Sequence, residues 1–230
     1  MFVVLASAHD EMARAMCVAW APWGCVLCVP ADLSQPGWSH QVGQPATSTA
    51  VLGGRVTPAS EISGVLTRLW HVPPEELRHI ASADRGYVAA EMTAFLIAFL
   101  TDLRCVVLNR PAASALSGPG WRREQWVRAA MQAGIPAASV HKSAGQGGSS
   151  TVLPPVGAEV TVVGELVFGT TDANLMTWSR QLAAIAGVEL LGVQFARRGG
   201  EYVFAGVSGL PALTFPGALD AVRELLVRQA

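Results

Sequence analysis

The chain has 230 residues, 51% of them hydrophobic and only 14% charged, which excludes disorder of the whole chain and leaves ample material for a core. Sixteen Lys and Arg against seventeen Asp and Glu give a net charge of −1, so no field of one sign is available to hold a nucleic acid by counterion release. Of the basic residues only Lys142 is a lysine; the rest are arginines.

In chain order, residues 2–6 predict a strand, 8–20 a helix with Met12, Ala15, Met16 and Ala19 on one face, and 24–29 a second buried strand, a βαβ opening. Gly53-Gly54 marks a hairpin between 49–52 and 55–57. A strand at 64–69 follows, then a short helix from Pro73-Pro74 through Ile80. The apolar stretch Tyr87–Leu103 is broken by Glu91 and Asp102 and is shorter than the roughly 20 apolar residues of a bilayer span. It predicts a buried helix over 85–102, with Met92, Phe95, Phe99 and Leu103 at helical spacing. A strand at 105–109 completes the first layer.

After a Pro/Gly/Ser-rich loop at 111–120, an amphipathic helix runs from Trp121 to Gly134, where Gly134 and Pro136 stop it. Residues 143–155 carry no charge and are mostly Gly, Ser, Thr, Val and Pro, the composition of a linker. Beyond it come a hairpin at 159–168, a helix at 174–186, strands at 189–196 and 202–207, and a closing helix at 217–229 with Leu219, Val222, Leu225 and Leu226 toward the core. The expected division is an α/β domain at 1–140, a linker at 141–158 and a smaller α+β part at 159–230. The N-terminus lacks a basic region and a full-length apolar segment of the secretory kind, so a cytoplasmic protein without a membrane anchor is expected.

Four cysteines, Cys17, Cys25, Cys28 and Cys105, lack paired metal-ligand spacing and are expected as buried free thiols. The five histidines show no ligand spacing either, and no metal site is expected from them. His9 and Asp10 follow the first strand, where α/β folds place ligand-contacting loops; a helix cap from Ser7 or Asp10 is the competing reading. Trp38 sits in the loop Pro36-Gly37-Trp38-Ser39-His40, where its indole needs covering by the chain's own fold or by a partner. Arg110, Arg122 and Arg123 are candidates to grip a carboxylate or phosphate, with Trp121 or Trp126 stacking beside them. The competing reading there is a helix start with tryptophans packed inward and arginines solvated.

Several phrases resemble ATP-grasp ligases of the RimK and ribosomal-peptide-maturase type. Arg68, then Leu108-Asn109-Arg110-Pro111, then Trp121 through Ala133-Gly134-Ile135-Pro136 are similar to the region before that family's nucleotide site. Val160-Thr161-Val162-Val163-Gly164, Gly192-Val193-Gln194 and the run from Gly200 to Pro211 resemble its last strands. The resemblance implies a Rossmann-like N-terminal (pre-ATP-grasp) layer followed by a shortened ATP-grasp-like α+β C-terminal part.

It also exposes departures. Where the family carries Asp and then Glu-x-Asn for Mg²⁺, this chain has Gln194, Gly206 and Ser208, which would bind a hard dication weakly or not at all. The family's nucleotide-covering subdomain would have to fit into about two dozen residues. Lys142 with Gly145, Gly147 and Gly148 is either a remnant phosphate cradle or part of a connector. The expectation is therefore a degenerate ATP-grasp-like protein that does not hydrolyse ATP, needs no cofactor, and serves as a binding or scaffolding partner of a peptide or of a peptide-modifying enzyme. The alternative is an ATP- and Mg²⁺-dependent carboxylate–amine ligase completed by a second copy or another chain, a possible homo- or hetero-oligomer. No nucleic-acid or membrane partner is expected.

Overall fold

The computed structural model describes residues 1–137 and 156–228. The elements run β1 (Phe2–Ala6), α1 (Glu11–Ala19), β2 (Cys25–Cys28), β3 (Thr49–Leu52), β4 (Arg55–Pro58), β5 (Gly64–Arg68), α2 (Arg85–Asp102), β6 (Val106–Leu108), α3 (Arg123–Gln132), β7 (Val156–Val163), β8 (Leu166–Phe168), α4 (Ala173–Ala186), β9 (Leu190–Arg198), β10 (Glu201–Ser208) and α5 (Ala218–Arg228). They divide into two compact units, one of residues 1–120 and 219–230 and one of 121–218.

The first unit holds a four-stranded parallel sheet in the order β2–β1–β5–β6. Its central strands β1 and β5 are buried along their whole length, so β1 reads as an unbroken apolar run rather than an alternating one, whereas β5 ends in the buried polar pair Thr67 and Arg68. One face packs α2 through Leu96, Phe99 and Leu100 against Val3, Leu5, Val65 and Val107. The hairpin β3–β4 stands apart as its own antiparallel pair, turned by Gly53 and Gly54 at φ 57° and 75°, a left-handed pair that two glycines adopt without strain. Gly64, at the start of β5, leaves room for α5: a Cβ there would lie 3.1 Å from Leu226 and 3.2 Å from Phe2.

The second unit is a four-stranded antiparallel sheet in the order β10–β9–β7–β8. Helices α3 and α4 cover one face, burying Trp126, Val127, Ala130, Leu175 and Leu182 against Val160, Val162, Leu191, Val193, Phe195 and Phe204. After α3 the phrase Ala133-Gly134-Ile135-Pro136 carries the chain alongside β10, where Phe204 N donates to Pro136 O at 2.7 Å and Ala137 bridges Phe204.

Four sequence expectations change. The boundary falls after Gly120 rather than at 140, because the apolar face of α3 belongs to the second core; α5 conversely joins the first unit. The linker's last residues, 156–158, are already β7, paired with β9 across an irregularity at Gly157; positions 141–155 lie outside the described residues. The helix expected over 73–80 is a single 3₁₀ turn, Pro74–Glu76, whose Glu76 carboxylate accepts from Ser7 Oγ and the Ala8 amide. Helix α1 starts at Glu11 rather than 8 because Asp10 caps it. No described helix is long and apolar enough to cross a membrane.

Candidate functional site

Two polar constellations stand out, one in each unit. In the second, the face of the sheet opposite α3 and α4 follows from strand register, since side chains of directly paired residues share a face. Gln194 of β9 pairs with Gly206 of β10 and with Glu159 of β7; Gly192 pairs with Ser208 and with Thr161. The three positions at which the family resemblance expects metal ligands are thus brought together, and Glu159, which sequence reasoning missed, joins them. Its signal was the two-residue spacing Glu159, Thr161 within a strand.

The donors in this row are poor for a hard dication. Gly206 has no side chain; a Cβ there would meet only the Gln194 Oε1, at 3.5 Å. The Ser208 hydroxyl accepts a hydrogen bond from Leu210 N at 3.2 Å, at the turn after which Pro211 lies against Gly192. Thr161 is fully buried and its Oγ1 has no hydrogen-bond partner. β9 and β10 therefore offer one neutral amide oxygen and one engaged hydroxyl where Mg²⁺ prefers carboxylates in near-octahedral array. Among the described residues no three His, Cys, Asp or Glu cluster to hold a metal. The row does not fit Mg²⁺. Lys142, the phosphate-cradle candidate, lies outside the described residues.

The first unit's constellation sits where the strand order reverses. Strand β1 has β2 on one side and β5 on the other, so the carboxyl ends of β1 and β5 flank a switch point, the usual ligand crevice of an open α/β sheet. Here Asp10 Oδ1 accepts from Ala13 N at 2.9 Å, capping α1, while its Oδ2 accepts from Arg68 Nε at 2.7 Å. Ser7 Oγ donates to Glu76 Oε1, Ala8 N donates to Glu76 Oε2 at 2.8 Å, and Arg14 Nη2 donates to Ala8 O. At this switch point the polar groups are engaged with one another and with backbone amides. Asp10 serves the cap reading, and His9 beside it is exposed.

The remaining candidates separate. Arg110 donates from Nη1 to Leu100 O and Thr101 O, and from Nη2 to Leu103 O and Cys105 O, all at 2.8–3.2 Å. Its guanidinium satisfies two carbonyls in the last turn of α2 and two in the segment just after it, tying the helix end to the start of β6. Burial pushes the neighbouring Cys105 thiol up, and the Arg110 charge opposes that shift. Trp38 is covered by the chain's own fold: it packs edge-on to Phe95 and Phe99, and Nε1 donates to Asp32 O at 2.9 Å. Trp121 leans on the buried Trp126, ring centroids 4.9 Å apart. Arg122 is exposed at the start of α3, and Arg123 beside it is half-buried, with an Nε that lacks a hydrogen-bond partner. Arg110 lies in one unit and Arg122 and Arg123 in the other.

One cleft had no sequence signal. A space of about 700 Å³ opens in the first unit beside the small-residue face of α2, Gly86, Ala89, Ala90 and Ala94, with His71 and Ser114 at its edge. It lacks an acid–base pair, and its chemistry is that of an apolar seat.

No protein-family profile matches the sequence, and no curated protein matches it. Solved structures do. The macrocyclase MdnC of Microcystis aeruginosa MRC, solved with precursor peptide MdnA, superposes with TM-score 0.73 at 14% identity, over 99% of this chain and 100% of that one. The ATP-grasp ligase PsnB, complexed with a phosphomimetic variant of its minimal precursor, Mg and ADP, gives 0.70 at 12% identity over 99% and 98%. A RimK domain ATP-grasp protein of Sphaerobacter thermophilus gives 0.57 at 14% identity over 99% and 100%. The chain has the fold of the ATP-grasp ligases, as the sequence resemblance implied.

Proposed function

We propose that this chain is a non-catalytic ATP-grasp-like protein that binds a peptide, or a peptide-modifying enzyme, in the maturation of a ribosomally made peptide. The observation that supports this reading is the row Gln194, Gly206 and Ser208, at the positions where the family resemblance expects metal ligands, none of which carries a carboxylate. Phosphoryl transfer runs on positioning and charge neutralisation, and without dications on the phosphates a carboxylate cannot be activated by ATP. The peptide half of the reading is supported by the precursor peptides that MdnC and PsnB hold in their solved complexes. Exposed His9 and Arg122, with Arg123 and Trp121 beside the latter, are the groups we assign to the partner; arginines there suit its carboxylates.

Isothermal titration of the full chain with Mg-ATP and with Mg-ADP tests the reading, alongside its mass in solution. No binding heat at millimolar nucleotide is expected. Micromolar binding would overturn the proposal and put the oligomeric ligase in its place, with Lys142→Ala then the variant that asks whether the lone lysine holds the phosphates.

A further inference from the structure

We propose that Cys17 and Cys25 form a site of reversible disulfide modification that staples the last turn of α1 to the first residue of β2. The two thiols are eight residues apart in sequence, and the 3₁₀ turn Ala21–Trp23 with left-handed Gly24 folds one back onto the other. Cys25 Sγ donates to Cys17 Sγ at 3.3 Å. A disulfide needs about 2.05 Å, so closure asks the sulfurs to approach by roughly 1.3 Å, within reach of small side-chain rotations.

Access and chemistry agree with that geometry. Both thiols are half-buried and free, whereas Cys28 is buried. The S–H of Cys25 holds the Cys17 thiol below its ordinary value, burial working against it, and the same hydrogen bond together with burial pushes Cys25 up. Cys17 is thus the attacking thiolate and Cys25 the resolving thiol. With oxidised glutathione as oxidant, Cys17 Sγ attacks one sulfur, forming a mixed disulfide and breaking the reagent's S–S bond. Cys25 then gives up its proton, attacks Cys17 Sγ and expels the second glutathione. Two protein thiols become one disulfide, one glutathione disulfide becomes two thiols, and both cysteine protons end on glutathione.

The staple would close a loop that contains buried Trp20 and Trp23, over whose ring Arg223 of α5 lies 4.1 Å from the centroid. Closure should raise the Tm by several degrees, because it constrains the unfolded chain.

The test is oxidation of the full-length native chain with oxidised glutathione at mildly alkaline pH, followed by intact-mass measurement, thiol titration after denaturation and peptide mapping. The expected result is a loss of two hydrogen masses, two of the four thiols remaining, and a bridge mapped to Cys17 and Cys25. Cys28→Ser with Cys105→Ser should leave closure unchanged, and Cys17→Ser should leave glutathione trapped or absent with no bridge. A lasting glutathione adduct on Cys17 in the unaltered chain, a bridge to Cys28 or Cys105, or four unreacted thiols would overturn the proposal. Because the bridge is mapped on the unaltered chain, the outcome does not depend on any variant folding.

Discussion

The two units place polar groups at equivalent strategic positions and treat them oppositely. At the switch point of the first sheet, Asp10, Arg68, Ser7 and Glu76 bond to one another and to backbone amides, so charge is buried only where it is matched. On the second sheet, Gln194, Gly206 and Ser208 are neutral and only Glu159, paired with Gln194, brings a charge to the row, while Thr161 Oγ1 is buried without a hydrogen-bond partner. In the first unit the charged groups are matched within the chain; in the second the paired positions on β9 and β10 are neutral.

Restoring the charge is the strongest way to break that contrast. The combined variant Gln194→Asp, Gly206→Glu, Ser208→Asn places two acids and an amide beside Glu159, and the open space at Gly206 admits the longer side chain. Mn²⁺ or Mg²⁺ binding should rise from undetectable to millimolar, about 4 kcal/mol, read by calorimetry. If the variant folds and binds no metal, the neutral side chains on β9 and β10 are not what sets the row's affinity for a dication.

Removing charge from the first unit should act on stability instead. Asp10→Ala loses a helix cap and a charged hydrogen bond together, an expected cost of about 2–4 kcal/mol in denaturant unfolding, whereas Asp10→Asn retains a capping oxygen and should cost less. Equal costs would mean that the cap on Ala13 N contributes nothing and that the whole loss comes from the Arg68 contact.

A third, smaller effect is pH-dependent. Burial, and then the Asp32 carboxylate, push the Cys28 thiol from 9.0 up to about 12. Unfolded chains therefore release this proton first: the stabilisation is complete below pH 9 and is lost as pH rises toward 12, at no more than about 1.4 kcal/mol per pH unit. Urea unfolding across that range should show the slope in the native chain and its loss in Cys28→Ala. The smallest effect is expected from Arg223→Ala, which removes the cation from the face of the part-exposed Trp23 and should cost about 0.5–1 kcal/mol. A change in Trp fluorescence should accompany it.

Much of this molecule was legible as sequence. Local periodicity located nearly every strand and helix, because β1, β5 and the α2 segment are apolar in patterns that few other conformations can bury. The Gly53-Gly54 turn, and the phrases similar to ATP-grasp ligases at both ends, were readable for the same reason: each depends on neighbours in the chain. The substitutions at Gln194, Gly206 and Ser208 were equally visible, since they are a matter of residue identity.

What the chain order could not reveal are contacts between residues far apart in it. The Pro73–Ile80 segment has helical composition, yet it forms a 3₁₀ turn whose Glu76 carboxylate accepts from Ser7 and Ala8, far back in the chain. Arg110 reads as a ligand-gripping arginine, and only folding shows its guanidinium bonded to four carbonyls, two in the last turn of α2 and two just after it. Glu159 entered its row, and Cys17 met Cys25, through strand register and the return of α1 onto the sheet. Local pattern and residue identity were enough to define the elements, their order and the neutral residues at positions 194, 206 and 208. Which polar groups bond to one another was settled only by folding, because burial makes an unmatched charge too costly to leave and the match is found across space rather than along the chain.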